Sequence, residues 1–419
     1  MKVQKMRIKG LNNAPGWIEI SFHEDINILT GRNGAGKTTL LKSIWYGVSG
    51  NIEHLIREVV FEAYEIETSS YFLSVERKES GSADVRNIES YTIQINDKRG
   101  RALAPRKTES RDRIERGMAA GAVNIANHIT VGIDDNTSVF FPTFRRIEGG
   151  FGMAEVEAPR YSRAHYLPSS QMQEALEALS GFLTTPGHQF VASTSTSDLK
   201  VLLNSKYAEL SNRVNNDSEN LLKNIFSLVR RSHEYSTPNE FDAIYESRKT
   251  LHDINAAASE FEARREKTFA PFGVLLKLVE SMLSHKGVRL TDTLIAGDAA
   301  KAIDSTKLSA GEKQMLSFLC YNAFASQSKI FIDEPELSLH VDWQRQLVRT
   351  LVSQQQENQF FIATHSPFIY SQYADKEIVI SPDRGFEDEL PFDEAVLEPP
   401  IDGPYSEFDA SSGIWRFES

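Results

Sequence analysis

An α/β fold interrupted by a helical insertion is predicted from three features of the sequence. Near the N-terminus an apolar strand runs into a glycine-rich turn and then a breaker-free helix. From about Ser170 to His285 the apolar spacing is helical, and from Leu308 strands and helices alternate again. Val3, Met6 and Ile8 alternate, Trp17–Phe22 alternates, and Asn27–Thr30 is a short apolar run stopped by Gly31. Lys37–Gly47 places Leu40, Leu41, Ile44 and Trp45 on one helical face. Val59–Glu65, Tyr71–Glu76 and Tyr91–Ile95 read as short, half-polar strands of an antiparallel arm, with Ser138–Phe144 a further strand.

Residues 98–116 carry Lys98, Arg99, Arg101, Arg106, Lys107, Arg111, Arg113 and Arg116 against Glu109, Asp112 and Glu115, and read as a mobile basic loop or a basic helix end. In the insertion, Leu222, Ile225, Phe226 and Val229 share a face, as do Val274, Leu275, Leu278, Val279 and Met282, with breaks at Ser193–Ser197 and Ser236–Asn239. Then follow a helix through Ala325, a strand at Ile330–Ile332, a helix over 341–355 and a strand at Phe360–Ala363. The expected division is 1–168 for the first lobe with its β arm, 169–290 for the helical insertion, 291–382 for the second lobe, and 383–419 for a tail. That tail is acidic, with Arg384 its one basic residue between Asp383 and Asp409; Trp415 and Phe417 suggest that its end docks.

The 419 residues carry 46 Lys+Arg and 58 Asp+Glu, a formal net charge of −12. That balance argues against a wholesale nucleic-acid coat but leaves room for a local basic patch. No apolar run reaches the roughly 18–20 residues that span a bilayer. The single cysteine, Cys320, excludes an intramolecular disulfide or a CxxC metal site. A cytoplasmic protein without membrane partners is expected.

Four segments carry chemistry. Gly31-Arg32-Asn33-Gly34-Ala35-Gly36-Lys37-Thr38 fits G-x4-G-K-[ST] between a strand and a helix. Such glycines let backbone amides curl around phosphate oxygens at a helix N-terminus. Asn33 to Thr39 are therefore candidate nucleotide-binding residues, Lys37 reaching the β- and γ-phosphates and the Thr38 hydroxyl binding Mg2+. The loop itself leaves ATP and GTP open. Lys329–Glu334 is an apolar strand ending in two carboxylates: Asp333 for the Mg2+ shell and Glu334 as base for the attacking water. Leu308-Ser309-Ala310-Gly311-Glu312 opens a helix, where Ser309, Gly311 and Glu312 are candidates to grip a phosphate; alone it is an ordinary capping sequence. Phe361–Pro367 places His365 just past a strand, able to sense a γ-phosphate.

In this order the four segments resemble an ABC-type ATPase of the soluble branch, near the SMC, RecF-type and OLD proteins, over roughly residues 1–75 and 300–385. The resemblance implies an ABC ATPase head: a mixed sheet with a P-loop core plus an antiparallel β arm. It also implies ATP and Mg2+ as ligands and a head-to-tail dimer in which Ser309 of one subunit closes on ATP held by Lys37 of another. The segments from Phe140 to Gly149, from Asp333 to Leu347 and from Thr364 to Tyr370 resemble the small ATPases of phage-defence operons, especially the ATPase subunit of the PARIS system. That likeness implies a homo-oligomer, a dimer or a larger ring of dimers. It also implies a separate effector, often a Toprim-type nuclease, released when a phage protein acts as trigger. Departures from the ABC pattern are a Q-loop glutamine without a clear position, for which Gln171 or Arg145 are candidates, and a D-loop aspartate replaced around Ser338-Leu339-His340. Arg145 and Arg146 could equally be salt-bridged structural residues.

No heptad run of SMC length is present, and the 54 residues after His365 are too few for a fused Toprim domain. The expectation is an ATP-driven switch without nuclease chemistry of its own. The alternative is a DNA-repair or DNA-scanning ATPase gripping duplex phosphates through residues 98–116.

Overall fold

The computed structural model describes residues 1–13, 16–78, 90–115, 121–143, 176, 178–192, 196–234, 240–283, 309–380, 405–409 and 414–417. Two six-stranded sheets share one layer of helix. The first sheet is antiparallel and contains β1 (Val3–Lys9), β2 (Trp17–Ser21), β4 (Ala63–Thr68), β5 (Tyr71–Lys78), β6 (Ser90–Asp97) and β7 (Lys107–Ser110), in the order β2-β1-β4-β5-β6-β7. The second contains β3 (Ile26–Thr30), β8 (Ser138–Phe141), β9 (His188–Phe190), β10 (Lys329–Asp333), β11 (Gln359–Ala363) and β12 (Glu377–Val379), in the order β12-β3-β11-β10-β8-β9. Its pairings are all parallel. Strands β3, β8, β10 and β11 are buried along their whole length, as a parallel sheet covered on both faces requires.

Helix α1 (Lys37–Ser49) lies between the sheets. Tyr64 and Tyr71 of the antiparallel sheet donate their hydroxyls to the carbonyls of Ser43 and Gly47 on α1, each at 2.8 Å. Gly47 is required there, because a Cβ would collide with the Tyr64 hydroxyl. The sheets are also tied directly. Gln359 of β11 accepts the Val3 N–H and donates to the Val3 and His23 carbonyls, all at 2.8 Å. The short helices α2 (Ile52–Glu58), α3 (Arg111–Glu115) and α4 (Ala122–Val131) complete this half.

Two long helices, α5 (Thr196–Glu234) and α6 (Glu240–Leu283), pack on each other. Their bases join the second core: Leu199, Leu203, Phe272, Leu275 and Val279 are buried together with Met315, Leu316 and Phe318 of α7 (Ala310–Phe324). The other end of the pair is poor in buried apolar contacts, with Phe226 72% and Tyr245 69% exposed. Helix α8 (Val341–Val352) and the single turn α9 (Pro367–Tyr370) finish the parallel-sheet half. Strands β13 (Tyr405–Asp409) and β14 (Ile414–Phe417) pair as an antiparallel hairpin within the acidic tail.

Differences from the sequence reading are local. The strand expected over Val59–Glu65 runs Ala63–Thr68, because the Val59 N–H closes α2 on the Leu55 carbonyl. The basic stretch contains the edge strand β7 and helix α3, and Arg101 and Arg106 pair with Asp97 and Glu76, each at 2.7 Å. Arg145, Arg146, Gln171, Leu308 and Arg116 lie outside the described residues. Among the described residues no helix is long and apolar enough to cross a membrane.

Candidate nucleotide site

The C-terminal ends of the parallel strands gather the predicted groups. Strand β3 delivers the glycine loop, β10 delivers Asp333 and Glu334, and β11, between them, delivers Thr364 and His365. This is the edge at which ligands bind open parallel sheets. Gly34 and Gly36 take φ of +83° and +88°, the left-handed region that favours glycine. Gly36 is also the N-cap of α1, with no side-chain cap, so the first-turn amides of the helix are left for an anion.

Lys37 is 4% exposed. Its Nζ donates to the carbonyls of Gly31 at 3.1 Å and Arg32 at 3.0 Å, and lies 2.5 Å from His365 Nε2. An ammonium donor so placed requires a neutral imidazole as acceptor. Burial, and then the Lys37 charge, hold His365 below its ordinary pKa, in keeping with that contact. Burial likewise lowers the Lys37 pKa, opposed by Glu334, Glu336 and Asp333.

Asp333 is 2% exposed and held from both sides: Thr38 donates to Oδ1 at 2.9 Å and Thr143 to Oδ2 at 2.5 Å. Burial pushes its carboxyl above the usual range, and the Thr143 and Thr38 hydroxyls pull it back. Glu334 sits at φ 47°, ψ 55°, a left-handed conformation that costs a non-glycine residue about 1 kcal/mol or more. Its N–H donates to the Ala363 carbonyl at 2.8 Å, which fixes that backbone against β11. The side chain ends 4.0 Å from His365 Nε2. The fixed turn holds the carboxylate beside His365, at the sheet edge that also carries the glycine loop.

Two neighbours were not singled out from sequence. Glu336 accepts the His365 N–H at 2.5 Å, and its Oε2 is buried without a hydrogen-bond partner. Thr143 holds Asp333 as described. Thr143 lies inside the quoted segment from Phe140 to Gly149 and Glu336 inside that from Asp333 to Leu347, but neither carries a signal of its own there.

A cavity of about 400 Å3 opens at this edge, lined by Thr30, Gly31, Arg32, Asn33, Thr364, His365, Tyr370 and Glu377. A second, of about 430 Å3, is lined by Ser309, Ala310, Gly311, Glu312, Ser338, His340 and Trp343. The structure therefore brings Lys37, Thr38, Asp333, Glu334 and His365 together, and gives Ser309, Gly311 and Glu312 a separate place. Ser309 is the N-cap of α7, and its hydroxyl and amide form a reciprocal capping box with Glu312. Gly311 permits close approach to the loop before α8, since a Cβ would collide with the Ser338 carbonyl oxygen. Asn33, Ala35 and Thr39 line the glycine turn and the first turn of α1, the Ala35 amide donating to the Arg32 carbonyl at 3.1 Å.

The residues present fit a magnesium nucleotide. A buried ammonium, an uncapped helix start, and a hydroxyl with a carboxylate stand at one edge. Among the described residues no group of three His, Cys, Asp or Glu side chains forms a cage. Mg2+ is commonly held by one or two carboxylates plus the phosphates of its substrate, and needs no such cage.

An α/β core with a glycine loop and an acidic strand end defines a nucleotide-binding domain of the P-loop class. More narrowly, the chain belongs to the AAA domain family, whose profile matches residues 5–268. A second profile, described as "AAA domain, putative AbiEii toxin, Type IV TA system", matches residues 209–371. No curated protein matches the chain. Among solved structures it is similar to the Smc head domain with an extended coiled coil bound to the C-terminal domain of ScpA, from Pyrococcus furiosus. There the identity is 12%, the alignment covers 88% of this chain and 91% of that one, and the TM-score is 0.33. It is also similar to the SmcHead bound to the C-winged helix domain of ScpA, at 12% identity, the same coverage and a TM-score of 0.34.

Proposed function

We propose that the chain binds and hydrolyses ATP with Mg2+ as an ABC-type ATPase and serves as sensor and scaffold of an anti-phage defence system, retaining a separate effector until triggered. The observation that carries the ATPase part is the convergence of Lys37, Thr38, Asp333, Glu334 and His365 at one sheet edge. The placement of Ser309 and Gly311 at a different cavity supports head-to-tail pairing, in which each nucleotide takes one half-site from each chain.

Thr38 and Asp333 would hold Mg2+, which when bound offsets phosphate charge. Lys37, released from the Gly31 and Arg32 carbonyls, neutralises the β/γ oxygens. Glu334 takes the proton of the attacking water, and His365, leaving Lys37, donates toward the γ-phosphate. Exchange of the Lys37–His365 contact for phosphate contacts gives the chain a bound and an unbound arrangement. A partner can read that difference.

The defence assignment rests on the likeness of the segments beginning at Phe140, Asp333 and Thr364 to phage-defence ATPases. The toxin–antitoxin description of the profile over 209–371 is in keeping with it. The DNA-scanning alternative is the second reading: of the basic residues in 98–116, Arg101 and Arg106 pair with Asp97 and Glu76, but both guanidinium groups stay exposed and these surface pairs are weak.

The test uses tagged Glu334→Gln protein with ATP. It is expected to bind ATP, turn over more slowly than wild type by about 100-fold or more, and sediment as an ATP-dependent oligomer. Wild-type turnover would place the base elsewhere. Recovery from the native host before and during infection should give a stoichiometric protein that survives nuclease treatment and leaves on infection. Recovery of nuclease-sensitive DNA with repair factors would favour the scanning ATPase.

A further inference from the structure

We infer that Thr143 is a positioning residue for the magnesium site: its hydroxyl keeps the Asp333 carboxylate in place when the Thr38 hydroxyl turns from it to the metal. The inference rests on the ATPase reading above.

The argument starts from the register. Phe141 of β8 lies opposite Ile332 of β10, so the chain just past β8 runs beside Asp333. Thr143, two residues beyond the strand, donates to Asp333 Oδ2 at 2.5 Å, while Thr38 occupies Oδ1 at 2.9 Å. Both oxygens of a 2% exposed carboxylate are thus held by hydroxyls that leave on different terms. Thr38 belongs to the phosphate loop, and its oxygen is the one the loop motif offers to Mg2+. Once it turns, Oδ1 is open to the cation shell and Oδ2 still has Thr143. Without that second hydrogen bond a buried carboxylate is free to rotate about χ2 away from the cation. Partners behind a metal ligand commonly contribute 10–100-fold in metal affinity.

The roles of the two threonines therefore differ. Loss of Thr38 removes a group that touches the cation; loss of Thr143 removes one that acts only through Asp333. The measured quantity must be the magnesium requirement, separate from turnover. In the Glu334→Gln background, binding of a fluorescent N-methylanthraniloyl ATP is titrated with MgCl2 for the full chain and for Thr143→Ala and Thr143→Ser. Thr143→Ala should raise the Mg2+ concentration for half-maximal binding about tenfold, with the same end-point affinity at saturating Mg2+. Thr143→Ser, which keeps the hydroxyl, should return the midpoint to within about twofold of the parent. An unshifted midpoint in Thr143→Ala overturns the inference, and so does a shift that serine fails to rescue. Absence of any Mg2+-dependent nucleotide binding in the unsubstituted background instead overturns the ATPase reading on which the inference stands.

Discussion

Lys329 opens β10 at the end of the sheet opposite the candidate site, and it is fully buried. Its Nζ donates to Asn136 Oδ1 at 2.8 Å, and burial, with a smaller contribution from Lys2, lowers its pKa from 10.5 to about 7. Its neighbour His188 is also driven toward the neutral form, to about 3, by burial and then by Lys329. A lysine whose folded pKa is depressed makes the unfolded chain bind more protons between the two values, so stability rises with pH across that window. Below about pH 7 both states are protonated and the penalty is fully present; above about pH 10.5 it is gone. From the two pKa values the gain between about pH 7 and pH 9.5 is roughly 3 kcal/mol, and the neutral-pH penalty is roughly 4 kcal/mol. Lys329→Met removes the titration and leaves Asn136 Oδ1 unpaired at a cost of about 1–3 kcal/mol. The variant should therefore be more stable than wild type by about 1–3 kcal/mol near pH 7, with that margin gone or reversed by about pH 9.5. Urea unfolding followed by circular dichroism, on both proteins at several pH values, measures the difference directly. Parallel pH curves for the two proteins would refute the reasoning, because they would mean that Lys329 does not titrate in this window.

Other outcomes follow from single contacts. Lys37→Ala should weaken ATP binding about 10–100-fold in a calorimetric titration, since it removes charge-assisted hydrogen bonds to phosphate; unchanged affinity would remove the phosphate-loop assignment. Gly311→Ala places a methyl against the Ser338 carbonyl and should destabilise the fold by about 1–3 kcal/mol, read as a lower urea midpoint. The same variant should lose ATP-dependent association more than ATP binding, because Gly311 lines the second cavity rather than the first.

Residues whose function depends on local order were legible in the sequence; those recruited across the fold were not. Gly31–Thr38 announces itself because one turn must supply glycines, an amine and a hydroxyl within eight positions. The structure puts that turn between β3 and α1 as expected. Ser309 and Glu312 were readable as a cap for the same reason, and both halves of the capping box form. The antiparallel arm was visible in its alternation, but its register was not. Where β4 begins is decided by the closure of α2 on Leu55, a contact outside the strand itself.

Thr143 and Glu336 show the limit most clearly. Thr143 meets Asp333 across 190 positions, and Glu336 meets His365 across 29. Nothing within either local window demands a hydroxyl or a carboxylate. Each acquires its partner only when the strand order β11-β10-β8 brings three chain exits to the same edge. The two differ in what sequence spacing does constrain. Glu336 is two residues from Glu334 and sits in the single helical turn that follows the left-handed Glu334, so the end of β10 fixes where its carboxylate starts. Thr143 has no such local cause. Its hydrogen bond depends on Phe141 standing opposite Ile332, and a slip of β8 along β10 would carry the hydroxyl away from Asp333. At the opposite end of the same strand the Lys329 N–H donates to the Thr137 carbonyl at 3.1 Å, which holds β8 against β10, while Ser138 accepts the Trp45 indole N–H at 3.1 Å and contacts His188 Nδ1 at 2.8 Å, tying β8 to α1 and β9. The geometry around Asp333 is thus set in part by polar contacts buried at the far edge of the sheet.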